Sequence, residues 1–217
     1  MSDRLLELIL LAPAILFALV IHEYAHGLVA DRLGDPTPRS AGRLTLNPIK
    51  HLDPIGTVML FLVRIGWARP VPVNPGYFQN PRLGMVWVSM AGPAANMLGA
   101  LGCGLLLRLA GAIGDQPNSR ILMAFVYMLA WGMVINLVLA AFNLIPLPPL
   151  DGSKILAGIL PGQSAQAYRR LERFGPLLLL ALIILGRSLL WGYIRPFVRF
   201  FSLFFGGQGA VHFLSTL

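Results

Sequence analysis

The residues with the clearest chemistry are two histidines and a glutamate near the start of the chain. His22 and His26 lie four positions apart, and Glu23 directly follows the first of them. Residues four apart share one face of an α-helix, so both imidazoles can reach one metal ion. Glu23, about 100° further around the helix, can reach a water molecule on that ion. The H-E-x-x-H pattern therefore predicts a metal site with Glu23 close to a metal-bound water.

A catalytic zinc ion usually has three protein ligands and keeps its fourth position for water. The chain contains one cysteine, Cys103, so the third ligand must be a nitrogen or oxygen donor. The candidates are Asp151, His51, Asp53 and His212. Asp151 is favoured because it directly follows the third apolar segment, at the depth inferred for the histidines, where prolines stop the helix and Gly152 permits a turn.

Each of these residues also has a structural interpretation. His22 and His26 could be polar side chains satisfied inside a bundle, but their spacing in apolar surroundings favours a metal site. Asp151 could instead cap a helix that starts near Ser153. For His51 and Asp53 a loop-anchoring role is favoured over metal binding. His212 lies in a tail of undecided structure and is interpreted as incidental.

Long apolar segments must position these groups. Of the 217 residues, 56% are hydrophobic and 12% are charged, whereas soluble domains contain about 25% charged residues. About 20 apolar residues in a helix cross the hydrocarbon core of a membrane. Four segments reach that length, at residues 5–30, 83–107, 121–150 and 174–194. They predict an all-α polytopic membrane protein with a bundle of four to six transmembrane helices.

The ends of these segments are also predicted. Prolines 146, 148 and 149 should end the third helix near Asn143 to Ile145. Arg187, inside the fourth segment, should face protein or the membrane interface. Residues 56–63 are too short to span, and prolines 70, 72 and 75 follow them. This stretch predicts a short re-entrant or β-like loop between the first and second helices. The tail at 200–217 could span the membrane or lie in its interface.

The basic residues orient the bundle. Residues 31–82 contain seven basic side chains against three acidic ones, while Asp115 and Arg120 are the charges between the second and third spans. Because cytoplasmic loops are enriched in Lys and Arg, residues 31–82 and the loop after the third span should be cytoplasmic. The same rule accounts for the net charge of +8. We therefore expect a lipid bilayer rather than nucleic acid as partner, and a site facing the cytoplasm of the cell membrane.

Two further motifs accompany the histidine pair. Residues 143–152 read N-x-x-P-x-P-x-L-D-G, and residues 92–96 read G-P-A-A-N. Together with H-E-x-x-H in a first membrane span, they resemble the site-2 protease family of intramembrane zinc metalloproteases. The resemblance covers about residues 15–155 and includes 46–57 and 66–70. It predicts one domain over 1–217, with a core at about 5–155 and additional membrane segments at 174–217.

The resemblance also implies roles for single residues. It implies one Zn²⁺ per chain, held by His22, His26 and Asp151. It implies Glu23 as catalytic base, and Asn143 and Asn96 as catalytic residues that help to bind the substrate or the developing oxyanion. Both asparagines have an alternative interpretation, because amide hydrogen bonds between helices are common in membranes.

The function predicted is an intramembrane zinc endopeptidase that hydrolyses peptide bonds in single-span membrane protein substrates. No PDZ-type module or nucleotide-sensing repeat is recognised, so substrate choice would depend on the membrane core, a partner or a prior cut. A second copy of the chain or a regulatory membrane partner stays open. The main alternative is a membrane metal-binding protein or transporter with the same ligands, but few further polar residues line the spans. A pseudoprotease would lack a ligand or the base, and none is missing.

Overall fold

The computed structural model describes the backbone of residues 3–56, 68–113 and 120–215, and the side chains of 11–56, 68–111, 122–168 and 170–208. The apolar segment at 57–67, Asp115 and the side chain of His212 lie outside these residues. Helices dominate the described chain, and they are α1 (Asp3–Arg32), α2 (Thr37–Ser40), α3 (Pro81–Ile113), α4 (Arg120–Asn143), α5 (Asp151–Ile159), α6 (Gly162–Arg169), α7 (Gly175–Ile184) and α8 (Arg187–Ser215).

The predicted all-α membrane bundle is confirmed. Within the described ranges, three helical stretches are long and apolar enough to cross a membrane, at Leu11–Arg32, Pro81–Gly111 and Leu122–Asn143. A fourth span is present if Gly162–Ile184 and Arg187–Gln208, which meet at an 81° bend, are counted together. Among the described residues, β pairing is limited to one antiparallel bridge between Leu52 and Ala68, in the loop expected to be β-like.

The prediction of one continuous helix over residues 174–194 is wrong. The chain leaves the helical path after α7 and starts α8 at Arg187, which is exposed. The Gly186 N–H donates to the carbonyl oxygen of Ala181, five residues earlier, as at many glycine-terminated helix ends. Gly186, Arg187 and Ser188 stand at the break, but the segment as a whole is apolar, and its average hydropathy does not record a backbone turn.

The core of the bundle lies where α3, α4 and α8 meet. Small side chains let these helices approach closely, as is common in membranes. The buried cluster comprises Ala100, Met133, Val134, Leu137, Ala141, Ile194, Val198 and Phe205. Helix α3 also packs against α1 and α5, so it contacts every helix that bears a predicted site residue.

The loop after α1 is anchored by buried polar groups. The carboxylate of Asp35, fully buried, accepts hydrogen bonds from the backbone N–H groups of Thr37 (2.9 Å) and Asn74 (2.7 Å). The buried His51 Nε2 lies 2.7 Å from the carbonyl oxygen of Thr45, and Asp53 Oδ1 accepts from the Gly56 N–H at 2.8 Å. These bonds agree with the loop-anchoring role favoured for His51 and Asp53.

Candidate metal centre

Three side chains from two distant parts of the chain converge in the bundle. The Nε2 atoms of His22 and His26 are 3.0 Å apart, and Asp151 Oδ2 lies 3.1 Å from the first and 3.2 Å from the second. All three residues are buried. A tetrahedral zinc ion with bonds of about 2.0 Å has ligand atoms about 3.3 Å apart. Of the four candidates for third ligand, Asp151 is the one that the described structure brings to the histidine pair.

The outer nitrogens of both imidazoles are hydrogen-bonded. His26 Nδ1 lies 2.6 Å from the carbonyl oxygen of Val88, which can only accept, so Nδ1 carries the proton. His22 Nδ1 lies 2.6 Å from Asn96 Oδ1 and likewise donates. Neutral imidazoles protonated at Nδ1 direct their Nε2 lone pairs inward, as metal-binding histidines do.

The inward-facing atoms fit a cation. Asp151 Oδ2 is buried and has no hydrogen-bond donor. With both imidazoles neutral, it faces two Nε2 lone pairs with no hydrogen between them, which is repulsive unless a positive charge lies among the three atoms. A bound metal ion supplies such a charge, as would protonation of an imidazole. The donor set of two imidazole nitrogens and one carboxylate oxygen is typical of catalytic zinc.

Asp151 reaches this position through the turn after α4. Helix α4 ends at Asn143, as the prolines predict, and α5 begins at Asp151 itself. A Cβ at Gly152 would lie 2.5 Å from the carbonyl oxygen of Ile145 and also in collision with that of Leu144. The sequence suggested that Gly152 permits a turn, and the structure shows instead a close approach between α5 and the carbonyl end of α4.

Helix α3 contributes its backbone to the centre. A Cβ at Gly92 would lie 2.5 Å from His26 Nε2 and 2.6 Å from His22 Nε2. The small residue at this position permits close packing, and the atoms that pack against it are the two candidate ligand atoms themselves.

We expect Gly92→Ala to reduce zinc affinity at least about 10-fold, by analogy with the loss seen when groups around a metal are disturbed. The added methyl group would occupy the space of the two Nε2 atoms. Zinc content per chain after dialysis against a graded chelator series measures the effect. Gly102→Ala is the matched control, because it lies in the same helix and its Cβ would meet nothing within 4 Å. Equal zinc retention by the two variants would contradict the prediction.

Glu23 lies beside an extended segment of the loop. Its Oε2 accepts a hydrogen bond of 2.9 Å from the Val71 N–H. The buried Arg43 guanidinium holds the same segment, donating from Nη2 to the carbonyl oxygens of Arg69 (3.2 Å) and Pro70 (3.3 Å). Burial and the positive charge of Arg69 lower the pKa of Arg43, while the Glu23 carboxylate raises it. In the sequence, Arg43 is one of the seven basic side chains that predict a cytoplasmic loop, and nothing local distinguishes it from the others.

The two predicted asparagines occupy different settings. Asn96 is fully buried, and its Nδ2 donates to Ala18 O (2.9 Å) and Asn136 Oδ1 (2.8 Å). Both of its amide hydrogens are therefore engaged in bonds to other helices, as in the alternative interpretation, and its Oδ1 faces His22 Nδ1 at 2.6 Å. Asn143 is partly buried and uses one amide hydrogen on Leu139 O of its own helix, at 3.0 Å. Asn136 was not among the predicted site residues. Its polar side chain in a charge-free membrane span is a feature that could have identified it.

Comparisons with known proteins agree with this geometry. Residues 106–185 match the family described as Peptidase family M50. The chain is 41% identical over 187 residues to the "Putative zinc metalloprotease YwhC" of Bacillus subtilis, covering 83% of this chain and 85% of that protein. It is 32% identical over 181 residues to the "Putative zinc metalloprotease Rip2" of Mycolicibacterium smegmatis, covering 81% and 67%. No solved structure was found to match the chain. The chain therefore belongs to peptidase family M50 and is a zinc metalloprotease of the site-2 type.

Proposed function

We propose that the protein is an intramembrane endopeptidase that cleaves peptide bonds in single-span membrane proteins. The observation that supports this most directly is the convergence of His22, His26 and Asp151 at distances of 3.0–3.2 Å. The histidines belong to a helix that is long and apolar enough to cross a membrane, and Asp151 follows the end of another. A hydrolytic centre at this position would act on substrates that lie in the bilayer.

His22, His26 and Asp151 would hold the zinc ion. When bound, zinc supplies a Lewis acid that polarises a carbonyl group and makes water nucleophilic near neutral pH. Glu23 would accept a proton from the attacking water and return it to the departing amine. The Val71 N–H donates a hydrogen bond to Oε2 of Glu23. Oε1 is then the oxygen that takes the proton.

Substrate presentation would use the extended segment at residues 69–74. A helical substrate has its carbonyl groups already hydrogen-bonded, so it must unwind before hydrolysis. An unwound peptide can pair with an exposed extended backbone. Support comes from the prolines at 70 and 72, which exclude regular helix, and from the contact of Val71 with Glu23.

The site would open towards the cytoplasmic side of the cell membrane. His22 is ten residues before the end of α1 at Arg32, or about 15 Å along the helix axis at about 1.5 Å per residue. The loop that follows is strongly basic, which supports a cytoplasmic location. Water would then have to cross about half of the membrane thickness, from the cytoplasm to the metal centre. The partners that the proposal allows in the bilayer are a second copy of the chain or a regulatory membrane protein.

The test is cleavage by purified protein in liposomes that contain a panel of single-span membrane proteins. We expect cleavage within or next to a substrate span, its loss with a zinc chelator and its return when zinc is added back. The rival function, metal transport, is measured in the same liposomes with an internal zinc dye. Zinc flux without cleavage of any substrate would contradict the proposal and favour a transporter.

A further inference from the structure

We infer that Asn136 is a positioning residue for the zinc ligand His22, and that it acts through Asn96. This inference rests on the proposed function, because it takes His22 as a ligand. Asn136 lies in α4, outside the H-E-x-x-H and N-x-x-P-x-P-x-L-D-G motifs, and it is fully buried.

A continuous chain of hydrogen bonds connects Asn136 to the ligand. Asn136 Nδ2 donates to the carbonyl oxygen of Gly132 at 2.8 Å. Asn136 Oδ1 accepts from Asn96 Nδ2 at 2.8 Å, and Asn96 Oδ1 faces His22 Nδ1 at 2.6 Å. The chain thus runs from α4 through α3 to α1, and it ends on the imidazole whose Nε2 faces the metal centre.

In this series of hydrogen bonds, the backbone carbonyl groups at its ends decide which atom of each amide donates and which accepts. The carbonyl oxygens of Gly132 and Ala18 can only accept, so each must face an amide nitrogen. The Nδ2 of Asn136 therefore faces Gly132, and its Oδ1 is left for Asn96. Asn96 in turn presents its Oδ1 to His22, which must carry a proton on Nδ1 and keep a free lone pair on Nε2. Asn136 thereby helps to select the tautomer that can bind metal.

The neighbouring helix is shaped to admit Asn136. A Cβ at Gly99 would lie 2.9 Å from Asn136 Oδ1. Gly99 is in α3, three residues after Asn96. Glycine at this position lets the amide of Asn136 reach α3, so the polar contact is accommodated by the packing as well as by the hydrogen bonds.

Loss of Asn136 would weaken zinc binding without removing a ligand. In Asn136→Leu, the second amide hydrogen of Asn96 loses its acceptor, and the Asn96 amide is no longer held in one orientation. We expect about a 10-fold loss of zinc affinity, the lower end of the effect of groups that orient metal ligands. Asn136→Asp keeps an oxygen acceptor for Asn96 Nδ2 and should retain more affinity than Asn136→Leu.

The experiment measures zinc affinity of the full chain in detergent by competition with a chelator, together with the visible spectrum of the cobalt-substituted protein. Leu137→Ala is the packing control, because Leu137 is an equally buried neighbour in the same helix with an apolar side chain. It should lower the unfolding temperature while leaving the affinity and the cobalt spectrum unchanged. Asn136→Leu should lower the zinc affinity and change the cobalt spectrum.

Two results would overturn the inference. One is zinc affinity in Asn136→Leu equal to that of the unmodified protein while His22→Ala loses zinc, which would leave the proposed function intact. The other is an equal loss of affinity in Leu137→Ala and Asn136→Leu, which would reduce Asn136 to a packing role. If His22→Ala itself retained zinc fully, the ligand assignment and this inference would fail together.

Discussion

Replacing Glu23 by glutamine should abolish detectable cleavage while zinc remains bound. A positioned general base contributes about 10²–10⁴-fold to a reaction rate, and a neutral amide cannot accept the proton. The amide oxygen of glutamine can still accept the Val71 N–H, which Glu23 Oε2 now accepts at 2.9 Å, so the extended segment should stay in place. Glu23 is outside the group of three ligand atoms, so metal binding should persist.

Cleavage of a single-span substrate and zinc content are measured on the same preparation of the Glu23→Gln variant. Glu172→Gln is the control, because Glu172 is an exposed glutamate in the described structure, in the short helical turn Arg170–Phe174. It removes the same charge and should retain full activity. Cleavage by Glu23→Gln at the rate of the control would show that another group is the base.

Replacing Asp151 by alanine should remove both zinc and activity. The variant leaves two neutral imidazoles and no anionic ligand, and a catalytic zinc ion usually needs three protein ligands. The loss of zinc affinity should exceed the loss of about 10–100-fold that is typical when a residue that only orients a ligand is replaced. Zinc content is measured by elemental analysis after purification, and the unfolding temperature reports whether the bundle is intact.

Asp53→Ala is the matched control for Asp151→Ala, because Asp53 was also a candidate ligand and its Oδ1 accepts the Gly56 N–H in the loop. It should retain zinc. Unchanged zinc content in Asp151→Ala would exclude Asp151 as a ligand. Taken with Glu23→Gln, this pair separates the two functions of the centre, since one variant should bind zinc without cleaving and the other should do neither.

Rules that act over a few residues predict the features of this fold that a single helix or a single turn decides. His22 and His26 share a face because any α-helix places residues four apart on one side. Helix α4 ends at Asn143 because the following prolines cannot continue it. The membrane bundle followed from the length and composition of the apolar segments.

These local rules do not predict features that depend on contacts between helices. The apolar run at 174–194 is broken after α7, which hydropathy does not register. For Asn96 the resemblance left a catalytic role and an interhelical hydrogen bond as alternatives, and only the structure shows its two amide hydrogens on Ala18 and Asn136. The close neighbours of Gly92 and Gly152, two ligand atoms and two helix-end carbonyls, also became visible only in the structure.

By itself the sequence determined a membrane bundle, a pair of imidazoles with a neighbouring carboxylate and a short set of candidates for the third ligand. Those features depend on helix periodicity, on hydropathy and on proline stereochemistry, all of which act over a few residues. Only the tertiary structure decided that Asp151 completes the set, that Val71 and Arg43 lie beside Glu23, and that Asn136 supports His22. These relations join residues 20 to 129 positions apart, and they depend on how closely α3 lets its neighbours approach.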